Sequence, residues 1–116
     1  MVIRPRRGDV FWTEFDPVAG SEMGKTRPAV VVQNDVGNRD SPTTIVATVT
    51  SRLGGRDYPF LVEIPQGVLP KASIVNCAHI RTVDKVRLKA GRMATLDPET
   101  MARVDDALRA SLGLIP

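Results

Sequence analysis

The chain has 116 residues, 42% hydrophobic and 25% charged, with a net charge of +3, a size and balance that suit one globular core and exclude a disordered or collagen-like chain. No apolar run approaches the roughly 20 residues of a membrane helix, and Met1-Val2-Ile3-Arg4-Pro5-Arg6-Arg7 has no apolar segment behind its charges as a secretory signal would, so residues 1–116 are expected to form one cytoplasmic domain with no membrane partner. A single cysteine, Cys77, and a single histidine, His79, exclude an intrachain disulfide and argue against a zinc cage; no metal or other cofactor is expected. Residues 1–92 carry 14 basic and 9 acidic groups, net +5, whereas residues 93–116 carry 2 and 4, net −2. The basic surface, and with it any polyanionic partner, is expected in the first part.

Gly8 to Phe15 has the composition of a first strand, with Phe11, Thr13 and Phe15 on one face and Val10, Trp12 and Glu14 on the other. A connection from Asp16 to Thr26 is long for a hairpin and marks a functional loop. It leads into Arg27-Pro28 and a buried β-branched strand around Ala29 to Gln33, with Pro28 expected at the first strand position because it has no N–H for a ladder. Asn34 to Pro42 reads as turn chemistry. Thr43 to Thr50 is a third strand, with Ile45, Ala47 and Val49 on one face and Thr44, Val46, Thr48 and Thr50 on the other. A loop with a Gly54-Gly55 tip leads to a fourth strand, Pro59 to Ile64.

Ser73 to Cys77 and His79 to Val83 read as two short strands or one bent one. Cys77 sits in an apolar pattern and is expected to be a small core residue. Asp84 to Leu88 reads as a single helical turn, followed by an edge strand around Gly91 to Ala94. Only the end is clearly helical: Asp97 is an N-cap, Pro98 the first helical residue and Gly113 a left-handed stop. Met101, Val104, Leu108 and Leu112 share its apolar face. Short strands punctuated by Gly and Pro imply a mainly β, barrel-like sheet closed by a C-terminal α-helix.

Arg27 is a cation at a rigid strand beside a loop, suited to grip phosphate oxygens with two parallel hydrogen bonds. Thr50 ends a strand just before a basic loop, where its hydroxyl can donate to a phosphate. With RNA as ligand, a 2′-hydroxyl can attack the adjacent phosphate if a base takes its proton, an acid protonates the departing 5′-oxygen and a cation stabilises the growing charge. That reaction needs no metal, and DNA lacks its nucleophile. Ser51, Arg52 and Arg56 suit backbone contacts. His79 and Arg81, one residue apart, share a face if the strand is regular; His79 can shuttle a proton or stack on a base. Each has an ordinary structural alternative: a surface arginine, a strand-ending threonine, a solvated loop, a hydrogen-bonded histidine. No phosphate-cradling GxxxxGK[ST] and no GxSxG elbow is present.

Arg7-Gly8-Asp9-Val10, Gly20-Ser21-Glu22 through Arg27-Pro28-Ala29-Val30-Val31-Val32-Gln33-Asn34, Thr50 closing a strand, and Ile80-Arg81-Thr82-Val83-Asp84 ahead of a helix together resemble the MazF/PemK/Kid family of toxin endoribonucleases over essentially the whole chain. The resemblance implies an SH3-like small barrel of the CcdB/MazF type, homodimeric, with an RNA groove across the subunit interface. It implies sequence-selective, metal-independent cleavage of single-stranded RNA through a 2′,3′-cyclic phosphate, blocked by a MazE-like antitoxin whose C-terminal segment occupies that groove. By motif match, Arg27 and Thr50 take the catalytic positions, and Ser21, Glu22, Lys25, Ser51, Arg52, His79 and Arg81 the RNA-binding ones. Many relatives carry an acidic residue followed by glutamine where this chain has Ala78 and His79, so His79 is expected to take part of the carboxylate's role or to read a different base. The alternative is a related barrel that does not cut: a CcdB-like gyrase poison, a plain nucleic-acid-binding module or an interaction protein.

Overall fold

The computed structural model describes residues 4–15, 26–51, 57–89 and 91–114. The strands are β1 (Asp9–Glu14), β2 (Thr26–Val31), β3 (Thr43–Thr50), β4 (Leu61–Glu63), β5 (Ile74–Asp84) and β6 (Ala94–Thr95); the helices are α1 (Asp35–Asp40) and α2 (Pro98–Leu112), with a 3₁₀ turn at Lys85–Arg87. The strands form one antiparallel sheet in the order β4-β5-β3-β2-β1-β6. Past β5 the chain curls back so that Leu88 bridges to Thr13 of β1, which bends the sheet into a half-barrel.

Strand alternation splits the apolar residues into two cores. Val10, Val30, Ala47, Val49, Val75 and Cys77 point to one face and pack with Leu96, Val104 and Ala107 under α2. Phe11, Phe15, Ala29, Val31, Val46, Val83 and Leu88 fill the opposite, curled face. Burial pushes the Cys77 thiol up to about 11, with the negative charge of Asp105 adding to the effect, so this buried thiol is the inert core residue its pattern indicates.

α2 has its expected ends. Asp97 accepts from the Thr100 amide at 2.7 Å, Pro98 follows it, and Gly113 closes the helix at φ +71°. The buried stripe differs from the expected one: Thr100, Val104 and Ala107 are buried, Met101 and Leu108 flank them, and Leu112 is exposed. Leu112 is the last residue of the helix, where it is open to solvent. Gly8 has φ +97° with the Leu96 carbonyl close by, and it donates to the Val31 carbonyl at 2.8 Å while accepting from the Leu96 amide at 3.0 Å. A side chain there would be strained.

Several boundaries depart from the sequence reading. Pro28 is the third residue of β2, opposite Trp12; the β2–β3 ladder is recorded only from Ala29 onward, so a residue without an N–H costs that ladder nothing. Arg27 is therefore inside the strand. Asn34 to Pro42 is not merely a turn, because Asn34 caps α1 by accepting from the Gly37 amide at 2.8 Å. Asn38 then donates to the Gln33 carbonyl at 2.9 Å and accepts from the Thr44 hydroxyl at 2.7 Å, a buried bond that anchors α1 to β3. The edge strand forms at Ala94–Thr95, where Thr95 pairs with Asp9 and donates to its carboxylate at 3.0 Å. The two short segments expected within 73–83 are one irregular strand, β5 (Ile74–Asp84), and β4 is only Leu61–Glu63.

Candidate functional site

β2 and β3 pair through Ala29↔Thr48, Val30↔Ala47 and Val31↔Val46. Carrying that register on by two residues sets Arg27 opposite Thr50, and directly opposed residues of antiparallel strands present side chains to the same face. Thr13 of β1 pairs with Arg27 from the other side. It is fully buried, its hydroxyl donating to the Phe11 carbonyl at 3.1 Å. A solid floor thus lies beside an exposed guanidinium. Among the described residues no hydrogen bond or ion pair engages the Arg27 side chain or the Thr50 hydroxyl.

Thr48 lies between Ala29 and Asn76 in the sheet. It is only 9% exposed, and its Oγ1 is the one buried side-chain oxygen without a hydrogen-bond partner among the described residues. A buried hydroxyl left unpaired costs on the order of 1–3 kcal/mol. On this face the sheet therefore passes from a dry cluster around Val46 to a strip of Thr48, Thr50, Arg27 and Asn76.

β5 is irregular beside that strip. Ala47 pairs with Ile80 but the next residue, Thr48, pairs with Asn76, so residues 77–79 have no partner on β3. Strand alternation consequently does not carry a shared face from Arg81 to His79. His79 is instead fixed from the Asn76 side. Asn76 Oδ1 accepts from the Ala78 amide at 3.0 Å, and Asn76 Nδ2 lies 3.4 Å from His79 Nδ1. Arg81, the partner of Val46, extends over the Phe15 ring with its guanidinium carbon 5.2 Å from the centroid. Arg81 also lines, with Glu14, Thr43 and Arg87, a small recess of about 220 Å³. Glu14 there lies 3.5 Å from Lys89 Nζ and 3.9 Å from Arg87.

Of the expected site residues, Arg27 and Thr50 lie on the adjacent strands β2 and β3, each two positions past the last pair between them, His79 and Arg81 are exposed on β5, and Ser51 is exposed directly after Thr50. Ser21, Glu22, Lys25, Arg52 and Arg56 lie outside the described residues. Sequence reasoning overlooked Thr48 and Asn76. Both carry a signal: Thr48 shares the face of Thr50 by alternation, and Asn76 interrupts Ile74-Val75-x-Cys77 with an amide. Among the described residues no three His, Cys, Asp or Glu side chains gather as they would around a metal.

An antiparallel half-barrel with a C-terminal closing helix defines a class. The chain belongs to the PemK-like, MazF-like toxins of type II toxin-antitoxin systems, which match it over residues 6–112. It is similar to Endoribonuclease EndoA of Bacillus subtilis strain 168, with 45% identity over 112 residues, 95% of this chain and 96% of that protein. Among solved structures it resembles MazE-MazF of Deinococcus radiodurans with a TM-score of 0.80 and 31% identity, covering 97% of this chain and 99% of that one. It also resembles a mycobacterial endoribonuclease in complex with its cognate antitoxin, with a TM-score of 0.78 and 26% identity over 97% and 98% of the two chains.

Proposed function

We propose that this chain is the endoribonuclease toxin of a type II toxin–antitoxin pair and cuts single-stranded RNA at the strip between β2, β3 and β5. What supports the reading most is an unengaged, exposed Arg27 on β2, two residues before the last β2–β3 pair, with Thr50 two residues beyond that pair on β3, within a family of toxins whose relative at 45% identity is an endoribonuclease. The 2′-oxygen of one nucleotide attacks its own 3′-phosphate. Its proton passes to a base, the P–O5′ bond breaks, and the 5′-oxygen leaves protonated, giving a 2′,3′-cyclic phosphate and a 5′-hydroxyl.

Arg27 stabilises the charge that grows on the non-bridging oxygens, a role in which a fixed cation contributes more to the transition state than to the ground state. Thr50 donates a hydrogen bond to the same phosphate. Ser21, Glu22, Lys25, Ser51, Arg52, His79 and Arg81 hold the flanking nucleotides. No metal enters these steps. The active form is a homodimer, and a MazE-like antitoxin inhibits it by laying its C-terminal segment in the RNA groove. Free toxin in the cytoplasm cuts mRNA and stops translation and growth.

Purified protein incubated with a mixed-sequence single-stranded RNA in EDTA tests the reading. Expected products have 5′-ends that a polynucleotide kinase labels directly and 3′-ends that resist phosphatase until the cyclic ester is opened. RNA left intact across the pool sinks the nuclease reading in favour of a barrel that binds without cutting.

A further inference from the structure

Residues 77–79 are the only stretch of β5 between its first and last β3 partners that lacks a partner on β3, and within it the chain's only histidine meets a side-chain amide. Two facts fix the chemistry of that meeting. The Ala78 backbone N–H can only donate, and it lies 3.0 Å from the Asn76 oxygen. The amide is thereby held one way round, with its NH₂ group turned to the ring. The ring nitrogen 3.4 Å from that group is Nδ1, which meets an N–H only with a lone pair. The alternative ring orientation would set a carbon-bound hydrogen against the amide hydrogens. A neutral imidazole that accepts at Nδ1 carries its proton on Nε2.

We infer that Asn76 is a positioning residue that locks His79 in the Nε2–H tautomer, so that the exposed imidazole presents a hydrogen-bond donor to the strip beside Thr48 and Thr50 and reads a nucleobase through an acceptor atom. Between the two roles open to His79, this separates proton acceptance from recognition. An Nε2–H ring offers a nucleotide a proton and not a lone pair at that nitrogen, which favours recognition. Arg81 on the same strand and Arg27 on β2, across β3, supply cations, and cations suit phosphate; a neutral, directional donor suits a base edge, where one atom distinguishes acceptor from amino group. Asn76 sits on the face of Thr48 by register, and its side-chain contact brings His79 beside it.

The tautomer half stands without the nuclease reading; the base-reading half rests on it, and the tests separate the two. Because His79 is the sole histidine, long-range ¹H–¹⁵N correlation spectra of labelled protein in mildly alkaline buffer report its tautomer with no assignment. The wild type is expected to show one Nε2–H pattern. Asn76→Leu is expected to give a mixture, and Asn76→Asp, which keeps an oxygen for Ala78 but offers a second acceptor to the ring, the Nδ1–H form. A mixed or Nδ1–H wild-type ring overturns the lock.

Cut sites in a single-stranded RNA pool with randomised positions test the reading. Asn76→Asp is expected to shift preference at one nucleotide by roughly 3–10-fold, the value of one hydrogen bond, away from bases with an acceptor there and towards bases with an amino group. In a His79→Gln background, whose amide has no tautomers, the same substitution should leave the preference where His79→Gln put it. An unchanged cut-site profile in Asn76→Asp, or an equal shift with and without His79, overturns base reading. A uniform rate change without a shift in preference assigns the contact to phosphate and overturns it too. A wild-type protein that cuts nothing defeats the nuclease reading and the base contact with it, while the spectra still decide the lock.

Discussion

The two faces of one sheet, four strands of which contribute side chains to both, are finished differently. Under α2, alternate residues of β1, β2, β3 and β5 are sealed: Val10, Val30, Ala47, Val75, Cys77 and Val104 have no exposed surface. On the curled face a dry cluster gives way, within one strand repeat, to an unpaired buried hydroxyl on Thr48 and an unengaged cation on Arg27. A face built only for stability would place valine at Thr48. The difference shows how a period of two lets one strand hold the fold with odd positions and offer chemistry with even ones.

The largest expected effect keeps the faces apart. Arg27→Ala should lower cleavage about 10²–10³-fold, as removal of a transition-state hydrogen-bond donor does, with the melting temperature unchanged because the side chain is exposed. The reciprocal substitution is Val104→Ala, which deletes two methyl groups from the sealed core and should cost about 2 kcal/mol. Denaturant midpoints should report it while cleavage per folded molecule stays constant. If Val104→Ala changes cut-site choice, or Arg27→Ala unfolds the protein, the separation between the faces is not real.

Thr48→Val tests the boundary between them. If the hydroxyl is held for a ligand, its removal should raise stability by about 1 kcal/mol, since a buried unpaired group is deleted at similar volume, and should slow cleavage several-fold. Such opposite movements are the usual signature of a site that costs stability. Cleavage unaffected by Thr48→Val would return that threonine to the ordinary population of strand residues.

The sealed face was legible in the sequence because its signals are periodic. The alternation of Thr43–Thr50 gave both faces of β3, and Asp97, Pro98 and Gly113 gave both ends of α2. The misreadings have local causes. Asn34 to Pro42 holds turn residues that serve equally as caps, and only the buried Asn38–Thr44 bond selects a helix. Leu112 fits the helical period but ends the helix in solvent, a fact of length that no period encodes. For the site, Arg27 and Thr50 were visible as residue types, and the family resemblance supplied their roles; their falling at the same end of two paired strands depends on the β2–β3 register. His79 and Arg81 were paired by a strand rule that fails at the residues without β3 partners. Asn76 was legible only as an amide in an apolar strand; its partner was not, because its contact with His79 exists only where β5 leaves its ladder.

The smallest expected effect is acid sensitivity, which falls on the sealed face first. Hydrogen bonds from the Thr100 backbone and then its side chain hold the Asp97 carboxyl below the usual carboxylate range, and a hydrogen bond from the Arg7 backbone does the same for Asp35, with Asn38 assisting. A carboxyl whose pKa is depressed by folding contributes stability above its unfolded pKa and loses it as the pH falls through the folded value. Stability should therefore decline below the ordinary carboxylate range as α2 loses its charged cap. Asp97→Asn separates charge from capping: the amide oxygen still accepts from Thr100, and asparagine is as good an N-cap as aspartate, but nothing titrates. Denaturant midpoints of the variant should fall less steeply over that acid range than those of the wild type, the two converging at the acid end. Parallel curves would mean that the cap on α2 holds equally well protonated, and that acid enters through the other carboxylates.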